Sequence, residues 1–110
     1  MRVGIFGYGK MGRAVEHIAL DRGHTVEIMR KKPNDPLASA EIDCAIDFTG
    51  AVAAPQFVQK CIDARIPVIS GSTGWTEKLS ALQQYCRESH GAMLWAPNFS
   101  VGMFITFTIN

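Results

Sequence analysis

The stretch IFGYGKMGRA, residues 5–14, begins apolar, passes Gly7, Gly9 and Gly12, and then turns basic and helical. Ahead of the glycines, Arg2–Phe6 reads as a short strand buried on both faces. Behind them, Lys10–Arg22 sets Met11, Ala14, Val15, Ile18 and Ala19 at helical spacing and stops before Gly23. G-x-G-x-x-G at such a junction lets backbone come close to a ligand. The first glycine permits a tight turn, the second lets the chain approach a pyrophosphate, and the third lets helix pack on strand. The helix N-terminus adds unpaired amides and a partial positive charge, which suit a bridging diphosphate. Gly7, Tyr8, Gly9, Lys10, Met11 and Gly12 are therefore candidate cofactor-binding residues. Lys10 and Arg13 either add charge near the phosphates or stay solvated.

Outward from this unit the periodicity alternates. Thr25–Met29 is strand-like, and RKKPNDPLASAEI is a polar crossover whose two prolines oppose a full-length helix. Asp43–Phe48 is again a strand, Ala53–Ala64 a helix with Pro55 in its first turn, and IPVIS a buried strand. Thr76–Ser89 reads as an amphipathic helix with Thr76 as its N-cap, and AMLWA as the fifth strand. Strands separated by crossovers of this length pair in parallel, with helices on both faces. The expected fold class is α/β, a doubly wound parallel sheet of the Rossmann-like dinucleotide-binding kind, forming one domain over residues 1–110. Ligands of such sheets bind outside the carboxyl ends of the strands, where strand order reverses.

An NAD site usually places an acid at the end of the second strand to hold the ribose 2′-hydroxyl. Here that exit reads MRKKP, and Arg30, Lys31 and Lys32 are able to neutralise a 2′-phosphate. NADPH is the expected cofactor, with NADH possible; the plain alternative is a solvated basic turn.

Composition excludes several other classes. The 110 residues are 47% apolar and 19% charged, which fits a packed globule, and the net charge of +1 offers no field for nucleic acid. No apolar run approaches the ~20 residues of a membrane span. The N-terminus opens directly on a strand without a secretory leader, so a cytoplasmic setting is expected. Cys44, Cys61 and Cys86 form no metal-ligand spacing and read as reduced small hydrophobes. Trp75 and Trp95 read as packing residues, and His17, His24 and His90 take no catalytic role.

The remaining strand exits are IDFTGA, ISGSTGW and WAPNFSVG, each joining small or hydroxylated residues to Gly or Pro. Together with GYGKMGR they resemble the N-terminal domain of the dihydrodipicolinate (4-hydroxy-tetrahydrodipicolinate) reductase family of lysine biosynthesis, from Met1 to about Gly102. The GSTGW and APNFSVG stretches are more specific than the glycine fingerprint. The resemblance implies that Phe48 and Thr49 lie against the cofactor and that Gly71 and Thr73 sit beside the nicotinamide, with Ser72 between them also counted as cofactor-binding. It implies that Thr73 also reaches the substrate, and that Ala96, Pro97, Asn98 and Phe99 hold the nicotinamide carboxamide. The activity implied is hydride transfer from NAD(P)H to an unsaturated cyclic dicarboxylate, giving tetrahydrodipicolinate. Taken singly, Phe48 and Phe99 read better as core residues and Thr73, Ser100 and Asn98 as turn or loop residues; their joint placement at strand exits favours function.

Two local departures stand out: Ser72 replaces a usual threonine, and the basic Arg30–Lys32 tip replaces the acid of NADH-using members. No H-H-x-x-K-type cluster occurs, so the catalytic acid and the dicarboxylate ligands are expected in a second domain, through which the family also assembles as homo-oligomers. The tail VGMFITFTIN is apolar, as expected of a segment that continues into such a domain or is covered by a partner. Alternatives are the cofactor domain of aspartate or homoserine dehydrogenase, or a non-catalytic NAD(P)-binding module.

Overall fold

A computed structural model describes residues 1–30, 35, 37 and 42–95. The elements run β1 (Arg2–Phe6), α1 (Lys10–Asp21), β2 (Thr25–Met29), β3 (Cys44–Asp47), α2 (Ala54–Asp63), β4 (Val68–Ser70), α3 (Thr76–Glu88) and β5 (Met93–Trp95). All strand pairs are parallel, in the order β2-β1-β3-β4-β5. The chain first builds outward to β2 and then to the other side of β1, so its direction of growth reverses between β1 and β3.

Register carries this point into the site. Phe6 pairs with Met29 and with Asp47, Asp47 with Ser70, and Ser70 with Trp95. The last residue of every strand therefore lies in one row, and all five exits leave from one edge.

Alternation along β1 separates two cores. Val3 and Ile5 join Val15 of α1 and Ile46 on one face. Phe6 joins Phe57, Val58, Cys61 and Ile62 of α2 and Leu82 and Cys86 of α3 on the other, with the Phe6 and Phe57 rings 4.8 Å apart. Helices thus cover both faces, as the doubly wound reading requires. α2 carries Pro55 at its start, where the missing amide hydrogen is not needed. The three cysteines are free, with Cys61 and Cys86 in the α2–α3 core.

Boundaries depart from expectation where tertiary contacts decide them. β4 starts at Val68 rather than Ile66, because pairing to β3 covers only Ala45–Asp47 against Val68–Ser70. Trp75, not Thr76, is the N-cap of α3, and no side chain makes a capping hydrogen bond there. Most of the proline-containing crossover after Arg30 lies outside the described residues, as does everything after Trp95.

Candidate functional site

The three fingerprint glycines meet different surroundings. Gly7 sits at φ +88°, and a Cβ there would lie 2.6 Å from the Phe48 carbonyl, so the β1 exit passes directly against the β3 exit. A Cβ on Gly12 would lie 2.7 Å from the Gly7 oxygen, which makes this the contact that seats α1 on the sheet. A Cβ on Gly9 meets nothing within 4 Å. Gly9 is also the N-cap of α1; no side chain caps that helix, and its first turn holds no acid. Unspent amides facing open space fit a diphosphate-bearing cofactor.

That space is a cleft of about 420 Å³. Gly9, Lys10, Met11 and Gly12 form one wall, Phe48, Gly50 and Ala51 of the β3 exit a second, and Gly71, Ser72 and Thr73 of the β4 exit a third. Eight sequence-predicted residues thus meet in one place. Gly7 lies beneath the first wall. The Phe48 ring lies over Gly71, where a Cβ would come 2.4 Å from a ring carbon, so Gly71 is the residue that admits the ring. Gly50 and Ala51 belong to the IDFTGA exit but are not among the individually predicted site residues.

Behind the cleft lies a polar cluster in which Asp47 and Ser70, absent from the sequence prediction, join the predicted Thr49 and Ser72. Asp47 is 0% exposed. Its Oδ1 accepts from the Thr49 amide (3.1 Å) and hydroxyl (2.6 Å), and its Oδ2 accepts from the hydroxyls of Ser70 (2.8 Å) and Ser72 (3.1 Å). Ser72 Oγ in turn accepts from the Gly50 amide at 3.0 Å. The Ser72 carbonyl receives two indole N–H groups, from Trp75 and from Trp95, each at 2.9 Å. The tryptophans pack as expected, but each also spends its polar atom on the cleft wall.

Tyr8 stands beside the cleft. Its hydroxyl donates to Glu16 at 2.5 Å, and Arg13 lies over its ring, 5.2 Å from the centroid. The hydrogen bond to Glu16 raises the Tyr8 pKa above its ordinary value. Arg13 is therefore engaged with Tyr8 as well as near the helix start. Arg30 follows β2 at an exposed position, apart from the cleft walls. Lys31, Lys32, Ala96, Pro97, Asn98 and Phe99 lie outside the described residues. Among the described residues no cluster is suited to a metal ion, and no helix is long and apolar enough to cross a membrane.

The model of the family described as dihydrodipicolinate reductase, N-terminus, matches residues 1–99. The chain belongs to that family. Relatives named 4-hydroxy-tetrahydrodipicolinate reductase include one from Christiangramia forsetii, 35% identical over all of this chain and 47% of its own length. Another, from a Mycobacterium species, is 34% identical over 96% of this chain and 46% of its own length. The chain thus spans about half the length of these dihydrodipicolinate reductase relatives. In three dimensions it is similar to a hyperthermophilic archaeal homoserine dehydrogenase solved in complex with NADPH, with TM-score 0.68 and 13% identity over 86% of this chain and 43% of that one. A Staphylococcus aureus homoserine dehydrogenase gives TM-score 0.66 and 13% identity over 86% of this chain and 31% of that one. At such identity the likeness is one of fold alone, a doubly wound parallel sheet of the Rossmann-like kind.

Proposed function

We propose that this chain is the NAD(P)H-binding part of a reductase that delivers hydride to 4-hydroxy-tetrahydrodipicolinate, giving tetrahydrodipicolinate for lysine biosynthesis. The observation that carries the reading is the coincidence of the family match over residues 1–99 with a cleft at the uncapped start of α1. The amides of α1 and Lys10 hold the diphosphate, with Gly9 leaving room for it. The nicotinamide end lies over the β3 and β4 exits, where Phe48 and Gly71 pack against the ring and Thr73 reaches the substrate. The cofactor supplies the hydride. The proton and the dicarboxylate ligands come from residues beyond this sequence, on a second domain that also forms a homo-oligomer. Residues 1–110 form one domain in this reading, and the three free thiols suit a reducing, cytoplasmic setting.

NADPH is preferred over NADH in this reading. Supporting this, Arg30 follows Met29, which pairs with Phe6 directly before the glycine turn, at the strand tip where dinucleotide folds of this kind receive the adenosine ribose, and its guanidinium suits a 2′-phosphate. The homoserine dehydrogenase alternative shares the fold but only 13% of the sequence. Calorimetric titration with NADPH and with NADH tests both levels. NADPH is expected to bind more tightly, and Arg30→Ala to weaken it about tenfold, the equivalent of one charge-assisted hydrogen bond, while leaving NADH unchanged. Equal losses for the two cofactors overturn the phosphate assignment, and binding of neither overturns the cofactor reading.

A further inference from the structure

Asp47 has no place among the expected cofactor contacts, yet it is the group on which two cleft walls converge. A carboxylate buried without partners is strongly unfavourable, so four converging donors mark a built arrangement rather than an accident of packing. Two donors come from Thr49 on its own exit; the other two come from Ser70 and Ser72 on the neighbouring strand and its exit. Ser72 closes the circuit by accepting from the Gly50 amide, so the β3 and β4 exits are joined through one carboxylate and one hydroxyl.

The joined segments need such a link. Gly50 sits at φ +107°, and the Gly71–Gly74 stretch carries another positive φ, +87°, at Gly74. Glycine backbone has more conformational freedom to lose than any other, and these exits have only short elements behind them: β3 has four residues and β4 three. The two indoles on the Ser72 carbonyl extend the brace to the start of α3 and to β5.

We propose that Asp47 is a positioning residue for cofactor binding: through Ser72 and Thr49 it fixes the β3 and β4 exits in the spacing that receives the nicotinamide half of the dinucleotide. The proposal rests on the cofactor reading above. It is specific to one half, because the adenosine ribose belongs at the β2 tip and the diphosphate at α1, neither of which Asp47 touches.

Asp47→Asn keeps the shape but turns an amide N–H toward a donor and removes the charge from its hydrogen bonds. Wild-type and variant chains are titrated with NADPH and with adenosine 2′,5′-bisphosphate, which carries the adenosine phosphates but no nicotinamide. NADPH affinity is expected to fall about tenfold or more, and affinity for the bisphosphate to stay within about twofold. Equal weakening of both ligands would reduce Asp47 to general structural support, and unchanged NADPH affinity would remove it from the site; either overturns the proposal. If Asp47→Asn does not fold, Ser70→Ala carries the same comparison, since it removes one donor from Asp47 at a residue outside the cleft lining. A wild-type chain that binds neither ligand refutes the cofactor reading and this proposal with it. Wild-type binding of both ligands with no selective loss of NADPH affinity in the variants refutes the brace alone.

Discussion

Replacing Gly12 with alanine sets two effects of opposite sign against each other. Gly12 is the third residue of α1, and alanine there gains about 1 kcal/mol of helix propensity over glycine. The new methyl, however, would stand 2.7 Å from the Gly7 carbonyl oxygen and 3.3 Å from Ile5 Cγ2. The isoleucine methyl is able to turn aside, but the carbonyl belongs to backbone held at φ +88° against Phe48. Relief therefore requires α1 to lift from β1, an overpacking cost of about 2 kcal/mol. The net effect is a destabilisation of about 1 kcal/mol, which lowers the Tm of a domain this size by about 4–8 °C. Thermal unfolding followed by circular dichroism measures it directly. A Gly12→Ala chain as stable as the parent, or more stable, would mean that propensity dominates and that the helix is not seated on this contact.

Gly9→Asp behaves in the opposite way. The position has an extended N-cap geometry and open space around its Cβ, so aspartate caps α1 and holds or raises stability. The same charge, placed at the proposed diphosphate site, is expected to weaken NADPH binding about tenfold or more; unchanged affinity in a titration would locate the phosphates elsewhere. At the other edge of the sheet, Asp43 accepts from the Arg2 amide at 2.6 Å and pairs with its guanidinium at 3.1 Å, and these hydrogen bonds hold its pKa below the ordinary 3.8. A depressed folded-state pKa contributes stability that is complete above the unfolded value and is lost as pH falls through the folded one. Urea midpoints of wild type and Asp43→Asn are thus expected to differ at neutral pH and to converge as the pH drops below 3.8, and a constant gap would contradict the pairing. Burial pushes the Cys61 thiol up to about 12, with the charge of Asp47 adding to the effect. Iodoacetamide at about pH 8 is expected to spare Cys61 in the folded chain and to label it in urea, since only the thiolate reacts. Mass spectrometry of the alkylated peptides reads the difference.

The parts of this fold legible in the sequence are those whose determinants are local. β1 and β2 fall on the residues their apolar runs indicate, and the glycine turn announces itself because backbone conformation and close approach demand glycine there. Thr76 misled because the entrance of α3 is set by the Trp75 indole reaching back to Ser72, a contact that overrides the preference for a hydroxyl cap. Asp47 left a signal, an acid inside the apolar run CAIDF, but two of the four donors that satisfy it come from Ser70 and Ser72, 23 and 25 residues further along. Only the parallel register brings Ser70 beside it. The cleft walls at Gly71–Thr73 were reached through family resemblance, and the structure supplies their physical reason in the Phe48 ring that a side chain at Gly71 would strike.

The chain has two tryptophans, and both indoles point their N–H at the same carbonyl, that of Ser72. Every photon of intrinsic tryptophan emission therefore originates next to the cleft wall. Displacement of that wall by a nucleotide alters two fluorophores at once, and nothing elsewhere in the molecule dilutes the change. The protein carries an unlabelled optical gauge of the proposed binding cleft, and Trp95→Phe splits that gauge into its two components.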